Sequence, residues 1–224
     1  MSFKYGLSTE EVVNRRKDFL KKLDINIEDC FMPSLTHGNT VMRVESNHRG
    51  SCMLSPQHCF EAEAVITNCK RLGLFILTAD CFPVIYYDSV HQAIGLAHLG
   101  RRPAQSQLAA KVIKSMNVEF GTEPKDVEIL IGPGIHKESY LVEVMKQEIE
   151  ASWKPYLKIV AHTDLISIDL LGFIQDQLTD AGVLTANIKI EPVDTVISAD
   201  YFSHYRSKRS GEPEGRFATV VMLN

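Results

Sequence analysis

The 224-residue sequence has no apolar run of about 18 residues, the length a helix needs to cross a bilayer, so no helical membrane span is expected. Its opening stretch, MSFKYGLSTEEVVNRRKDF, lacks the apolar segment of a secretory signal. The simplest reading is a cytoplasmic protein. There is no basic excess. The chain carries 24 Lys and Arg against 28 Asp and Glu, a net charge of -4 and a pI near 6.1, which gives nucleic acid no electrostatic footing. The five cysteines (Cys30, Cys52, Cys59, Cys69 and Cys81) contain no CxxC pair, which sets aside a zinc-finger site. Their odd number and irregular spacing argue against a disulfide framework. No internal repeat, low-complexity tract or linker is visible, and residues 1–224 read as one α/β domain with a mixed sheet system and helices outside it.

What is present is a series of short periodic segments. Residues 8–24 read as a helix, with Ser8 as N-cap and Glu11 three residues on, as in a capping box. NTVMRVE at 39–45 alternates as a half-buried strand does, and residues 47–60 read as a loop. EAEAVIT, GLFILT, PVIYYD and AIGLAH read as strands, the last three within about 25 residues, a spacing that favours sheet over helix. Residues 103–117 read as a helix with Pro103 in its first turn. VEILIGPGI reads as a buried strand. Residues 139–153 and 168–181 read as helices, the second with Gly182 just past its end. IKIEPV and RFATVVML read as closing strands.

Three polar side chains interrupt apolar strand contexts: Cys81 in TADCFPV, His98 in AIGLAHLGRR, and His37 in SLTHGNT. Taken singly, a buried cysteine is usually a small hydrophobe, and a lone histidine is more often a hydrogen-bonded core or surface residue than a ligand. Taken together, two consecutive strand ends carrying Cys and His can converge at one rim of a sheet, where ligand sites are favoured. His, Cys and His suit a zinc site with an open fourth position. Asp80, next to Cys81, is costly to bury unpaired and is a candidate proton shuttle or ligand-orienting group. Arg101 and Arg102 sit at a helix start, where the dipole disfavours cations, and would suit an anionic co-substrate. Arg206, Lys208 and Arg209 read as a solvated loop or as a phosphate-binding loop over the site. His136 follows a Gly-Pro-Gly bend and could approach the site.

At these residues the chain resembles the YfiH family, also called laccase-domain or multicopper polyphenol oxidase-like proteins. The anchors run in the family's order over nearly the whole chain: His37-Gly38-Asn39, EAEAVIT, TADCFPV, AHLGRR, GPGIHKESYLV and the closing DTVISADYFSHYRSKRSGEPEGRFATVVML. The resemblance implies a layered α/β/β/α fold and a metal, zinc or else copper, held by His37, Cys81 and His98. It implies phosphorolysis of adenosine, inosine or methylthioadenosine, deamination of adenosine, or both. Purine nucleoside and phosphate would then be the partners, with Asn39, Asp80, Arg102 and Arg206 around them, in a monomer or homodimer. A copper phenol oxidase, a peptidoglycan-precursor editing enzyme, a cysteine hydrolase using Cys81 and His98, and a metal-binding protein without turnover are the alternatives. The sequence departs from the family at Leu35 (usually Gln), at Arg101 and Pro103 (around a usual Trp-Arg-Gly), at Glu138 and Ser139, and at Asp194. The family's N-terminal strands with an Arg-Gly-Gly element are expected to be absent.

Overall fold

The computed structural model describes residues 1–3, 6–57, 59–143 and 151–224. The capping box at the first helix, α1 (Thr9–Lys21), forms as the sequence implies: Glu11 N donates to Ser8 Oγ at 3.2 Å, and Ser8 N donates to Glu11 Oε2 at 2.9 Å. Val12, Arg16 and Leu20 recur every four residues and form its buried stripe. Strands β1 (Cys30–Phe31), β2 (Val41–Arg43), β3 (Ala64–Thr67), β4 (Gly73–Thr78), β5 (Phe82–Asp88) and β6 (Ala93–Leu99) follow. Then come α2 (Arg101–Gln105), α3 (Leu108–Phe120), β7 (Val127–Ile131), β8 (Leu141–Glu143), β9 (Leu157–Ile159) and β10 (Leu165–Ile168). The chain closes with α4 (Leu170–Asp180), β11 (Ile188–Ile190), α5 (His204–Ser210) and β12 (Phe217–Val221).

The strands form a six-stranded sheet in the order β11-β7-β5-β6-β3-β2, a three-stranded sheet β1-β4-β12 and a small sheet β8-β10-β9. β6 explains the layering. Ile94 and Leu96 point to one face, where they meet Leu74 and Ile76 of β4 and Phe31 of β1. Ala93, Ala97 and Leu99 point to the other, where they meet Val112 and Met116 of α3 and Ile174 and Leu178 of α4. A strand buried on both faces reads as a continuous apolar run, which is why AIGLAH shows no polar alternation. On the far side of β4, Phe75 packs with Leu20 of α1. The order is therefore α1, three-stranded sheet, six-stranded sheet, then α3 and α4: the α/β/β/α layering. A one-residue slip of β6 would exchange its two packed faces, so burial fixes the register that places the site.

The structure corrects three local expectations. The helix expected over 103–117 is two helices, broken where Gln107 adopts a left-handed φ of 60°. The carbonyl of Ala104 accepts from Gln177 Nε2 of α4 at 2.7 Å and from Gln107 N at 2.9 Å, which ends α2 there. The helix expected over 139–153 is, among the described residues, a strand at Leu141–Glu143, paired antiparallel with β10, and a 3₁₀ turn at Ala151–Tyr156; residues 144–150 lie outside the described residues. Cys52 and Cys59 form a disulfide within the 47–60 loop, against the expectation of none. Among the described residues, no helix is long and apolar enough to cross a membrane.

Candidate active site

Cys81 and His98 meet because β5 and β6 are antiparallel neighbours. Pro83 pairs with His98 and Phe82 with Leu99, so the start of one strand and the end of the other share a sheet rim. The turn feeding β5 is tight, and Asp80 adopts a φ of 79°. On the other side of β6, His98 N donates to Glu63 O at 2.9 Å, continuing the β3 ladder. The Glu63 side chain then does three things. Oε1 bonds His98 Nδ1, while Oε2 accepts from Thr36 N at 3.0 Å and from His37 N at 2.8 Å. Glu63 is fully buried and His98 is 4% exposed, so these bonds lie away from water, where electrostatics are strong. One carboxylate thus draws the His37 loop onto His98. The two imidazoles sit edge to face, centroids 5.3 Å apart.

With Nδ1 of His98 donating to a carboxylate, Nε2 is the nitrogen left to address Cys81 or a metal. Burial alone would lower the pKa of His98, but the charge and hydrogen bonding of Cys81, then of Glu63, hold it up at about 10. Gly100 leaves room for the thiol. A Cβ there would come within 2.6 Å of Cys81 Sγ, and within 3.6 Å of its Cβ. Gly100→Ala is therefore expected to push Cys81 aside and weaken metal binding by about 10-fold or more. A competition titration with a chelating dye reads this, and an unchanged affinity would mean that Cys81 is not a ligand.

One thiol and two imidazoles, one of them backed by a carboxylate, are a donor set that suits zinc. Among the described residues, no three His, Cys, Asp or Glu side chains already converge at metal-bonding separations. The Cys81–His98 pair is assembled, and His37 lies one ring contact away. Its loop would close the set.

The rim opens on a cavity of about 460 Å³ that His37, Cys81 and His98 line together with His204, Arg216 and Arg16. That volume suits a small organic substrate. The Cys52–Cys59 disulfide forms part of the same wall. Arg16 is fully buried. It donates to the carbonyls of Cys52 and Met53 at 2.7 and 2.8 Å, while its Nη2 has no hydrogen-bond partner. Desolvation lowers its pKa to about 10, so it stays a cation at neutral pH.

The other residues singled out in the sequence lie elsewhere. Asp80 is committed: Oδ1 accepts from Thr195 Oγ1 and Oδ2 from Tyr205 N, both at 2.7 Å, which fastens the start of α5 to the Cys81 turn. Arg206, expected to hold phosphate, instead gathers the 195–201 loop. It donates to the carbonyls of Thr195, Val196, Ser198 and Tyr201 and to Glu212 Oε2, which uses all three guanidinium nitrogens. Asn39 is half-buried and Arg102 exposed, and neither lines the cavity. Its neighbour Arg101 acts electrostatically on Tyr140. Burial raises the pKa of Tyr140, Arg101 lowers it, and Cys81 and Asp80 raise it further. His136 packs its ring against Phe82. Sequence reasoning passed over Glu63, Arg216 and Arg16 and gave His204, in the basic and aromatic segment YFSHYRSKR, no role. Only Glu63 carried a signal, a carboxylate on the way into an apolar strand in EAEAVIT.

A family model described as multi-copper polyphenol oxidoreductase laccase matches residues 1–224. The chain belongs to this family. A purine nucleoside phosphorylase of Mycobacterium tuberculosis (strain H37Rv) is 31% identical over 164 residues, covering 73% of this chain and 62% of that relative. The chain thus matches less than two thirds of the length of its mycobacterial relatives. A purine nucleoside phosphorylase of Bacteroides thetaiotaomicron is 29% identical over 228 residues, covering 98% of this chain and 83% of the relative. Among solved structures, the hypothetical protein YfiH of Bacillus licheniformis superposes with a TM-score of 0.88 at 22% identity, over all of this chain and 85% of that one. YlmD of Geobacillus stearothermophilus does so with the same score and identity, over 84% of its length.

Proposed function

We propose that the chain is a zinc-dependent purine nucleoside phosphorylase of the cytoplasm, with the metal held by His37, Cys81 and His98. The observation that carries this reading is the Glu63-organised corner, which presents these three donors to a cavity of nucleoside size. The names of the relatives support the substrate class. Bound zinc supplies Lewis-acid and water-activating chemistry without redox change. The protein's own part is positional. Glu63 fixes the tautomer of His98 and the approach of His37, Gly100 gives Cys81 its space, and the cavity walls hold the nucleoside out of bulk water. Arg216 and the buried Arg16 place positive charge in the wall where phosphate would sit, whereas Arg206 does not line the cavity and is held by the carbonyls of the 195–201 loop. The phosphate then attacks the anomeric carbon of ribose from a held position, which removes the entropic cost of the encounter.

The laccase chemistry in the family's description needs several histidine-rich copper centres. Among the described residues, the cavity offers one cluster of two histidines and a cysteine beside His204.

The test is to purify the protein without added metal, quantify bound zinc and copper, and incubate it with adenosine and with inosine, with and without phosphate. Bound zinc, with free base and ribose 1-phosphate formed only when phosphate is present, is the expected result. Inosine and ammonia from adenosine without phosphate would replace phosphorolysis with deamination. Absence of both kinds of product would overturn the reading.

A further inference from the structure

Phosphorolysis needs a proton at the departing purine, and the residue expected to handle protons is unavailable. Both oxygens of Asp80 are taken by Thr195 and Tyr205. His37, Cys81 and His98 are committed as ligands in the reading above. The bond from Asp80 to Tyr205 N has a further effect: it seats the first turn of α5 against the Cys81 turn, and the residue before Tyr205 is His204. Ser203 caps the same turn, its Oγ accepting from Arg206 N at 3.0 Å. His204 therefore stands on an anchored helix start and lines the cavity that Cys81 and His98 line.

His204 is also half of a carboxylate–histidine pair. Its Nδ1 lies 2.5 Å from Glu214 Oε1, and Lys208 Nζ lies 3.5 Å from the same oxygen. Partial burial pushes the pKa of Glu214 up, but His204 and Lys208 outweigh it and hold the carboxyl below its ordinary value. Glu214 is thus an anion at neutral pH that accepts a hydrogen bond from Nδ1–H and leaves Nε2 as the working nitrogen. With 48% of its side chain exposed, His204 meets both the cavity and the solvent from which it can be reprotonated.

We infer that His204 is the general acid that protonates the purine as it leaves, with Glu214 as its positioning residue. The inference rests on the phosphorylase reading. The bond from C1′ to N9 breaks with its electron pair passing into the purine, a phosphate oxygen bonds to C1′, and the Nε2 proton moves to N7. The products are neutral purine and ribose 1-phosphate. The proton that hydrogenphosphate loses on esterification returns to the imidazole through water. A bare ion pair tying α5 to the turn before β12 would serve none of these steps.

The test compares inosine with 7-methylinosine, whose purine already carries a positive charge at the imidazole ring and departs without an acid. For His204→Gln, kcat/KM on inosine is expected to fall about 100-fold or more, while that on 7-methylinosine stays within about 3-fold of the parent protein. Glu214→Gln is expected to show the same pattern with a smaller loss on inosine. Retained turnover of the methylated substrate also certifies that the variants fold. Equal losses on both substrates, or no loss on inosine, would overturn the general-acid role. A parent protein that cleaves neither nucleoside overturns the phosphorylase reading itself, and the inference with it.

Discussion

Cys81→Ala is expected to abolish stoichiometric zinc and to lower phosphorolysis by at least about 100-fold, while the protein still folds. Cys81 sits between two strands and does not carry the core. It is half-buried, whereas the neighbouring Phe82, Val84 and Tyr86 are fully buried and pack under α3. Metal analysis and the inosine assay give the two main readouts. A variant that keeps its zinc or its turnover would refute the proposed ligand set.

The same substitution has a signature in the metal-free protein. The His98 pKa is raised to about 10, so this histidine contributes stability that is fully present below its unfolded value, near 6.5, and is lost as pH rises through about 10. Metal-free parent protein should therefore lose stability between roughly pH 7 and 10. Cys81→Ala removes the largest of the influences that raise the pKa and leaves burial, which lowers it. That part of the pH dependence should shrink. Metal binding must also displace the proton from His98, so zinc uptake by the parent protein should release protons and strengthen with pH. Urea melts of the metal-free proteins across this range, and proton release into a weak buffer on zinc addition, measure both effects.

The strands and the meeting of Cys81 with His98 were largely legible in the sequence because they follow from local pattern, whereas the layering came with the family resemblance. β4, β5 and β6 are short apolar runs with turn residues between them, and a hairpin of β5 and β6 must bring Cys81 and His98 to one rim whatever else the chain does. The breaks in that legibility share a cause, which is that the deciding partner is distant in sequence. α2 stops because Gln177 of α4 takes the Ala104 carbonyl. Leu141–Glu143 is a strand because β10 offers it a ladder, although its residues also fit a helix. Arg206 looked like a binding residue because nothing in YFSHYRSKR says that the carbonyls of the preceding loop curl around its guanidinium. The place of His204 is fixed by Asp80, through the neighbouring Tyr205 N, and by Glu214, 124 and 10 residues away. Cys52 and Cys59 were weighed by count and spacing across the chain, whereas a seven-residue separation inside one loop is what pairs them.

Glu63 shows the same contrast within four residues of sequence. In EAEAV, Glu61 is exposed, whereas Glu63, the residue before β3, is fully buried with its carboxylate on His98 and the His37 loop. Glu63→Gln should separate the organising role of that carboxylate from its bulk. The carboxylate accepts three N–H bonds, from Thr36, His37 and His98. An amide of the same shape has one oxygen to accept and an NH₂ that can only donate. Either a backbone N–H of the His37 loop loses its partner, or His98 reverses its tautomer so that Nδ1 accepts and the Nε2 proton blocks metal. The first outcome costs about 1–3 kcal/mol of stability. The second weakens zinc affinity, and both together are expected to lower affinity and turnover by about 10- to 100-fold. Glu61→Gln, on the solvent side of the same segment, is expected to change neither. Zinc titration and urea unfolding of the two variants decide the matter. Equal behaviour of Glu63→Gln and Glu61→Gln would mean that the carboxylate fills space without organising the metal corner. A loss confined to Glu63→Gln would place control of the site in a side chain that never touches the substrate.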